Sequence, residues 1–245
     1  MKRVVLVIGA TGMTGRYFLQ YADRSAALEA IGVSRRAPDY PTDARFISMD
    51  LSNADEAHSR LSGLPDVTDV VYAGFVPAPT WQEQVAPNVA MLVNTVRGIE
   101  AAGGNLQRIL LVQGMKYYGN HLGPFRTPAR EDDPRHMPPN YYYEQQDFLE
   151  QESQGKSWSY TCIRPHVICG YGLGSTQNLL MVVGVYAAMC KELGVPLRFP
   201  GTPAAFRAIN QATDADLLAR SIGWALFEPA CADQAFNITN GDFFR

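Results

Sequence analysis

The chain has 245 residues, 47% of them hydrophobic, with 21 basic against 24 acidic side chains and a formal net charge of −3. That length supports one large globular domain, or a domain carrying a smaller lobe. The balanced charge argues against a nucleic-acid binder, and the apolar run at the amino terminus, Val4 to Ile8, is far too short for a signal segment or a membrane span. Cys162, Cys169, Cys190 and Cys231 form neither a CxxC pair nor a His/Cys cluster with metal spacing, so a metal-free cytoplasmic protein with reduced, buried thiols is expected.

Apolar runs of strand length alternate with patterns of helical period, which implies an α/β fold with a parallel sheet covered on both faces. Strands are expected at 3–8, 28–34, 45–48, 69–73, 108–113 and 158–163, with helices near 13–22, 53–61, 82–102 and 141–154. Asn140, after Pro138-Pro139, is a natural cap for the last of these. The pattern changes after Pro165: glycines at 170, 172 and 174, a helix near 178–193, a short strand at 197–199, a helix near 214–227 and a strand at 235–239. The division expected is a Rossmann domain over 1–165 and a smaller substrate-facing lobe over 166–245, at the carboxyl end of the sheet.

The first strand runs into Gly9-Ala10-Thr11-Gly12-Met13-Thr14-Gly15, a GxxGxxG turn opening a helix. Gly9 permits the tight turn, Gly12 lets the backbone approach a pyrophosphate, and Gly15 lets the helix pack close to the strand. That context marks a doubly wound, dinucleotide-binding fold. At the end of the second strand, where an acidic residue would take a ribose 2′-OH, the chain has Ser34-Arg35-Arg36, which suits a 2′-phosphate and so NADP(H). Asp50 and Leu51, closing the third strand, stand where an adenine is contacted, although Asp50 equally suits the cap of the next helix. Thr11, Met13, Ala73, Gln113, Pro165, Val167 and Ser175 complete the expected cofactor contacts.

A typical short-chain dehydrogenase carries Tyr-x-x-x-Lys on one helix, where the lysine lowers the phenol pKa from about 10. No tyrosine here has that lysine: Tyr142 is followed by Gln146 and Tyr143 by Asp147. Lys116, in Gly114-Met115-Lys116-Tyr117-Tyr118-Gly119 at the tip of the fifth strand, can supply the charge from a neighbouring loop.

These residues, with His121-Leu122-Gly123-Pro124, Asn140-Tyr141-Tyr142-Tyr143 ending in Asp147, Arg164-Pro165, and the 236–242 segment Phe-Asn-Ile-Thr-Asn-Gly-Asp, resemble the progesterone 5β-reductase/iridoid synthase family of atypical short-chain dehydrogenases, particularly its microbial members. The resemblance covers nearly the whole chain. It implies NADPH-dependent reduction of the C=C bond of enones and enals. Lys116 then matches the catalytic lysine and Tyr143 the catalytic tyrosine, with Tyr142 as the neighbouring alternative. Phe75, Tyr117, Tyr141 and Asn178 are expected at the substrate. Gly172-Leu173 replaces the family's usual Ser-Pro, Gln177 its Met and Tyr141 its Phe, and the family continues well past Arg245. A small apolar substrate is the expected partner, and the long helices at 82–102 and 141–154 could serve a homodimer. Three other readings stay open on the residues alone: a sugar-nucleotide epimerase or dehydratase, a carbonyl reductase, and a non-catalytic NADP(H) sensor.

Overall fold

In a computed structural model, which describes residues 2–172 and 178–245, seven parallel strands form one sheet. They are β1 (Arg3–Ile8), β2 (Leu28–Ser34), β3 (Arg45–Ser48), β4 (Asp69–Tyr72), β5 (Arg108–Val112), β6 (Ser159–Pro165) and β9 (Gln234–Ile238), in the order β3-β2-β1-β4-β5-β6-β9. Within that order, β1 and β4 are neighbours although two strands separate them in sequence, so the winding reverses there and a crevice opens beyond their carboxyl ends.

Strand alternation assigns the two faces. Leu6 and Ile8 of β1 face one layer, made by α2 (Ala54–Leu61), α3 (Trp81–Ala101) and α4 (Tyr141–Glu152), where Leu61, Leu92, Val96, Ile99 and Leu149 are buried. Val5 and Val7 face the other layer, made by α1 (Met13–Asp23) and α7 (Ala215–Phe227) with Phe18, Leu19, Leu218, Ile222 and Leu226. Gly223 of α7 lies so close to α1 that an added Cβ would stand 2.3 Å from the Tyr21 ring. The segment after Pro165 therefore contributes α7 and β9 to the Rossmann layers themselves. It also supplies a two-stranded ribbon, β7 (Ile168–Cys169) with β8 (Thr213–Asp214), and two peripheral helices, α5 (Leu179–Glu192) and α6 (Pro203–Arg207).

The strand expected at 197–199 does not form. Leu197 and Phe199 are exposed and join no described strand, Phe199 packing edge-on against Phe206, and the flanking Pro196 and Pro200 each lack the N–H that a ladder needs. Among the described residues no helix is long and apolar enough to cross a membrane.

Candidate functional site

The crevice is a cavity of about 850 Å³ running from the end of β2, over β1 and β4, to the start of α4. Its near wall is the glycine turn. Gly9 has φ +81°, and a Cβ there would stand 2.6 Å from the Ala73 carbonyl oxygen. A Cβ on Gly15 would meet the Gly9 oxygen at 2.3 Å, so α1 leaves β1 as tightly as two backbones allow. Gly12 is the N-cap of α1 and provides no side-chain acceptor, and no acidic residue lies in the first turn. The free amides of that turn and the helix dipole are thus left for an anion.

Thr11, Gly12, Met13, Ser34, Arg35 and Arg36 line this end of the cavity. The loop carrying the arginines is pinned from inside: Ser34 Oγ donates to the Arg36 carbonyl at 2.7 Å and Ser48 Oγ to the Arg35 carbonyl at 3.0 Å. Both arginines are exposed, and no acidic side chain among the described residues pairs with them. Asp50 and Leu51 also reach the cavity. Asp50 holds the following turn, accepting from Ser52 N at 3.0 Å and Ser52 Oγ at 2.8 Å, and these bonds hold its carboxyl below the ordinary aspartate range. The cap of α2 is Asn53, which accepts from Glu56 N. Ala73, Gln113, Pro165 and Val167 line the middle of the cavity, while Gly15 lies beneath the turn rather than in its wall. Ser175 falls outside the described residues, as do Leu173 and Gln177.

At the far end the cavity is walled by Gly114, Met115, Lys116, Asn120 and Tyr142, with Phe75 at the rim. Lys116 sits in a single 3-10 turn, Met115–Tyr118, directly after β5. Its ammonium lies 4.6 Å from the centroid of Trp81. Partial burial lowers its pKa from the usual lysine value. Asn140 ties this turn to α4: its side chain accepts from Tyr142 N at 3.1 Å, capping the helix, and donates to the Lys116 carbonyl at 2.9 Å.

The three consecutive tyrosines separate because successive helical residues point about 100° apart. Tyr142 faces the cavity, its Oη 3.4 Å from where a Cβ on Gly114 would stand. Burial drives its phenol above the ordinary value, and a hydrogen bond from Tyr141 works in the opposite direction. Tyr143, the residue first matched to the catalytic tyrosine, is turned into the protein instead: its hydroxyl donates to the Tyr117 carbonyl at 2.6 Å and accepts from His136 N at 3.0 Å. It packs edge-on against Tyr117, away from the cavity wall. The tyrosine that shares the cavity with Lys116 is therefore Tyr142.

Of the residues expected at a substrate, Phe75 lines the cavity. Tyr141 is buried behind it, with ring centroids 5.8 Å from Phe75 and 4.5 Å from Tyr142. Tyr117 lies in a buried cluster with Tyr118 and Tyr143. Asn178 donates to the Gly170 carbonyl at 2.6 Å and is not in the wall. Asn120 and His166, which no motif singled out, do line it. Asn120 follows the left-handed Gly119, a conformation that local sequence reading does not resolve to a site.

This fold and crevice define a Rossmann-type α/β protein. Residues 48–242 match the PRISE-like Rossmann-fold domain. The chain belongs to that family of progesterone 5β-reductase and iridoid synthase-like proteins. It is 36% identical over 263 aligned residues to an (S)-8-oxocitronellyl enol synthase of Camptotheca acuminata, covering 99% of this chain and 66% of that protein. It is 35% identical to the 3-oxo-Delta(4,5)-steroid 5-beta-reductase of Arabidopsis thaliana, covering 99% of this chain and 66% of that one. The chain thus spans about two thirds of the length of these relatives. Among solved structures, a UDP-glucose 4-epimerase of Thermotoga maritima superposes with a TM-score of 0.79 at 15% identity, over 98% of this chain and 78% of that one, a likeness of fold.

Proposed function

We propose that this protein uses NADPH to reduce the C=C bond of α,β-unsaturated carbonyl compounds. The observation that carries the reading is that Lys116 and Tyr142 wall one end of a cavity whose other end is the GxxGxxG turn and the Arg35-Arg36 loop. The two relatives, an enol synthase and a 3-oxo-steroid 5-beta-reductase, support it by their names.

The residues fit the cofactor. The glycine cradle that a Cβ would fill and the uncapped first turn of α1 suit the pyrophosphate. Arg35 and Arg36, with no acidic competitor at the end of β2, suit a 2′-phosphate and so select NADPH over NADH. The middle wall, Ala73, Gln113, Pro165 and Val167, would flank the nicotinamide, and the cavity volume lies within the usual range for ligand sites.

When bound, the cofactor supplies a hydride for the β-carbon of the conjugated carbonyl. Electron density then moves through the former double bond to the carbonyl oxygen. Tyr142, protonated throughout the neutral range because burial raises its pKa, donates a hydrogen bond to that oxygen. The Lys116 ammonium adds positive charge to the same end of the site and keeps its own protons: the proton that completes the product goes from water to the α-carbon. Phe75 at the rim, with Tyr141 behind it, offers flat apolar contact to a conjugated substrate.

Reduction of an enone with NADPH deuterated at the transferable position tests the reading. Deuterium is expected at the β-carbon of a saturated carbonyl product. Deuterium at the carbonyl carbon of an allylic alcohol would instead make the protein a carbonyl reductase.

A further inference from the structure

We propose that Arg164 is a positioning residue that sets Tyr142 and the Lys116 turn relative to each other, an inference that rests on the proposed site. Arg164 is the largest fully buried side chain, 1% exposed, within the otherwise uncharged strand β6. No carboxylate among the described residues forms an ion pair with it. A buried guanidinium without a counter-ion is unfavourable unless its donors are used and the surroundings are polarised toward it.

Four of its five N–H donors are spent on the elements that build the far end of the cavity, and its face rests on an aromatic ring. Nε donates to Gln113 Oε1 at 2.9 Å, at the tip of β5. Nη1 donates to Tyr118 Oη at 2.8 Å and to the Glu131 carbonyl at 3.2 Å, and Nη2 to Gln146 Oε1 at 3.2 Å. The guanidinium stacks 3.4 Å from the Tyr117 centroid. Two of these residues, Tyr117 and Tyr118, belong to the turn that carries Lys116. Gln146 is one helical turn beyond Tyr142 on α4, and Gln113 Nε2 donates to the Tyr142 carbonyl at 3.1 Å and to Gln146 Oε1 at 3.3 Å. Arg164 thus reaches the backbone of the tyrosine through one glutamine and grips the lysine turn directly. A planar fork with a stacking face is needed for this, which lysine cannot reproduce. Arg164 itself does not line the cavity, so it acts through its partners.

The test compares wild type with Arg164→Met, Arg164→Lys and Gln146→Leu in steady-state NADPH oxidation with an enone. In parallel, the protein is labelled with 13Cζ-tyrosine, the Tyr142 resonance being assigned with Tyr142→Phe. Arg164→Met is expected to lower kcat by about 100-fold, the scale of a misplaced catalytic group, with KM for NADPH within about threefold. Arg164→Lys restores less than a tenth of the loss, and Gln146→Leu, which removes one link and leaves the arginine buried, shows a smaller fall in kcat of the same kind. The Tyr142 resonance moves in each variant, and that of Tyr186, far away on α5, does not. Unchanged kcat, an unmoved Tyr142 resonance, or a KM for NADPH that rises in step with the loss of kcat overturns the proposal. Should Arg164→Met fail to fold, Gln146→Leu decides by the same readouts. A wild type that turns over no enone, with the Tyr142 resonance still moving in the variants, refutes the ene-reductase reading and leaves the positioning role standing.

Discussion

Tyr142 and Tyr143 are adjacent and chemically identical, and their hydroxyls do different work. Tyr143 is committed to two backbone partners, so Tyr143→Phe removes both hydrogen bonds and should cost about 1–3 kcal/mol of stability while leaving turnover within a few-fold of wild type. Thermal melts and rates on one preparation check this; a large loss of kcat with an unchanged melt would put Tyr143 back in the reaction. Lys116 gives a pH prediction. Its folded pKa lies below the ordinary 10.5, so the ammonium is present below that lowered value and lost as pH rises through it. Tyr142, raised by burial, stays a neutral phenol over the same range. Activity should therefore fall on an alkaline limb set by the lysine, and Lys116→Arg should move that limb to higher pH. A limb that stays in place in Lys116→Arg would assign it to another group.

At the scale of elements, the proposed preference for NADPH rests on the loop between β2 and β3. Arg35→Ser with Arg36→Ser should raise KM for NADPH by about 10–100-fold, the loss of charge-assisted contacts to one phosphate, and leave KM for NADH nearly unchanged. Equal effects on both cofactors would show that the arginines contact no 2′-phosphate. Much of this level was legible beforehand. β1, β2 and β3 fall at the expected residues because their apolar runs are bounded by turn formers, and the glycine turn announces itself between a strand and a helix. What was not legible has physical causes. The phase of α4 decides which tyrosine meets the cavity, and three tyrosines in a row carry no pattern from which to read a phase. The two-residue strands β7 and β8 are too short to leave a period, and the run at 197–199 looks like a strand only until its prolines are counted. Arg164 stood one residue beyond the expected strand, in the Arg164-Pro165 pair, and its meaning depends on Gln113, Tyr118 and Gln146, which only the fold brings together.

The whole molecule is uneven in how it covers its apolar surface. The Rossmann layers are closed on both faces, whereas α5 has Cys190 as its one buried residue and shows Leu180, Val182, Val183, Val185 and Met189 at half exposure or more. Patches of this kind are uncommon on monomers. Because these side chains are half exposed or more, Leu180→Glu combined with Val183→Glu should change stability by no more than about 0.5 kcal/mol per site and reduce binding of an apolar dye. A destabilisation of several kcal/mol would mean that these side chains are packed in solution.

In the proposed reaction Lys116 and Tyr142 act together on a conjugated carbonyl at the end of an NADPH crevice. The most direct measurement is NADPH oxidation with a small panel of enones and enals by wild type, Lys116→Ala, Tyr142→Phe and Tyr143→Phe. Wild type is expected to give saturated carbonyl product, the first two variants to lose about 100-fold or more in kcat, and the third to turn over near-normally. Tight NADPH binding with no consumption on any member of the panel, or a Tyr142→Phe variant as fast as wild type, would contradict the proposed reaction.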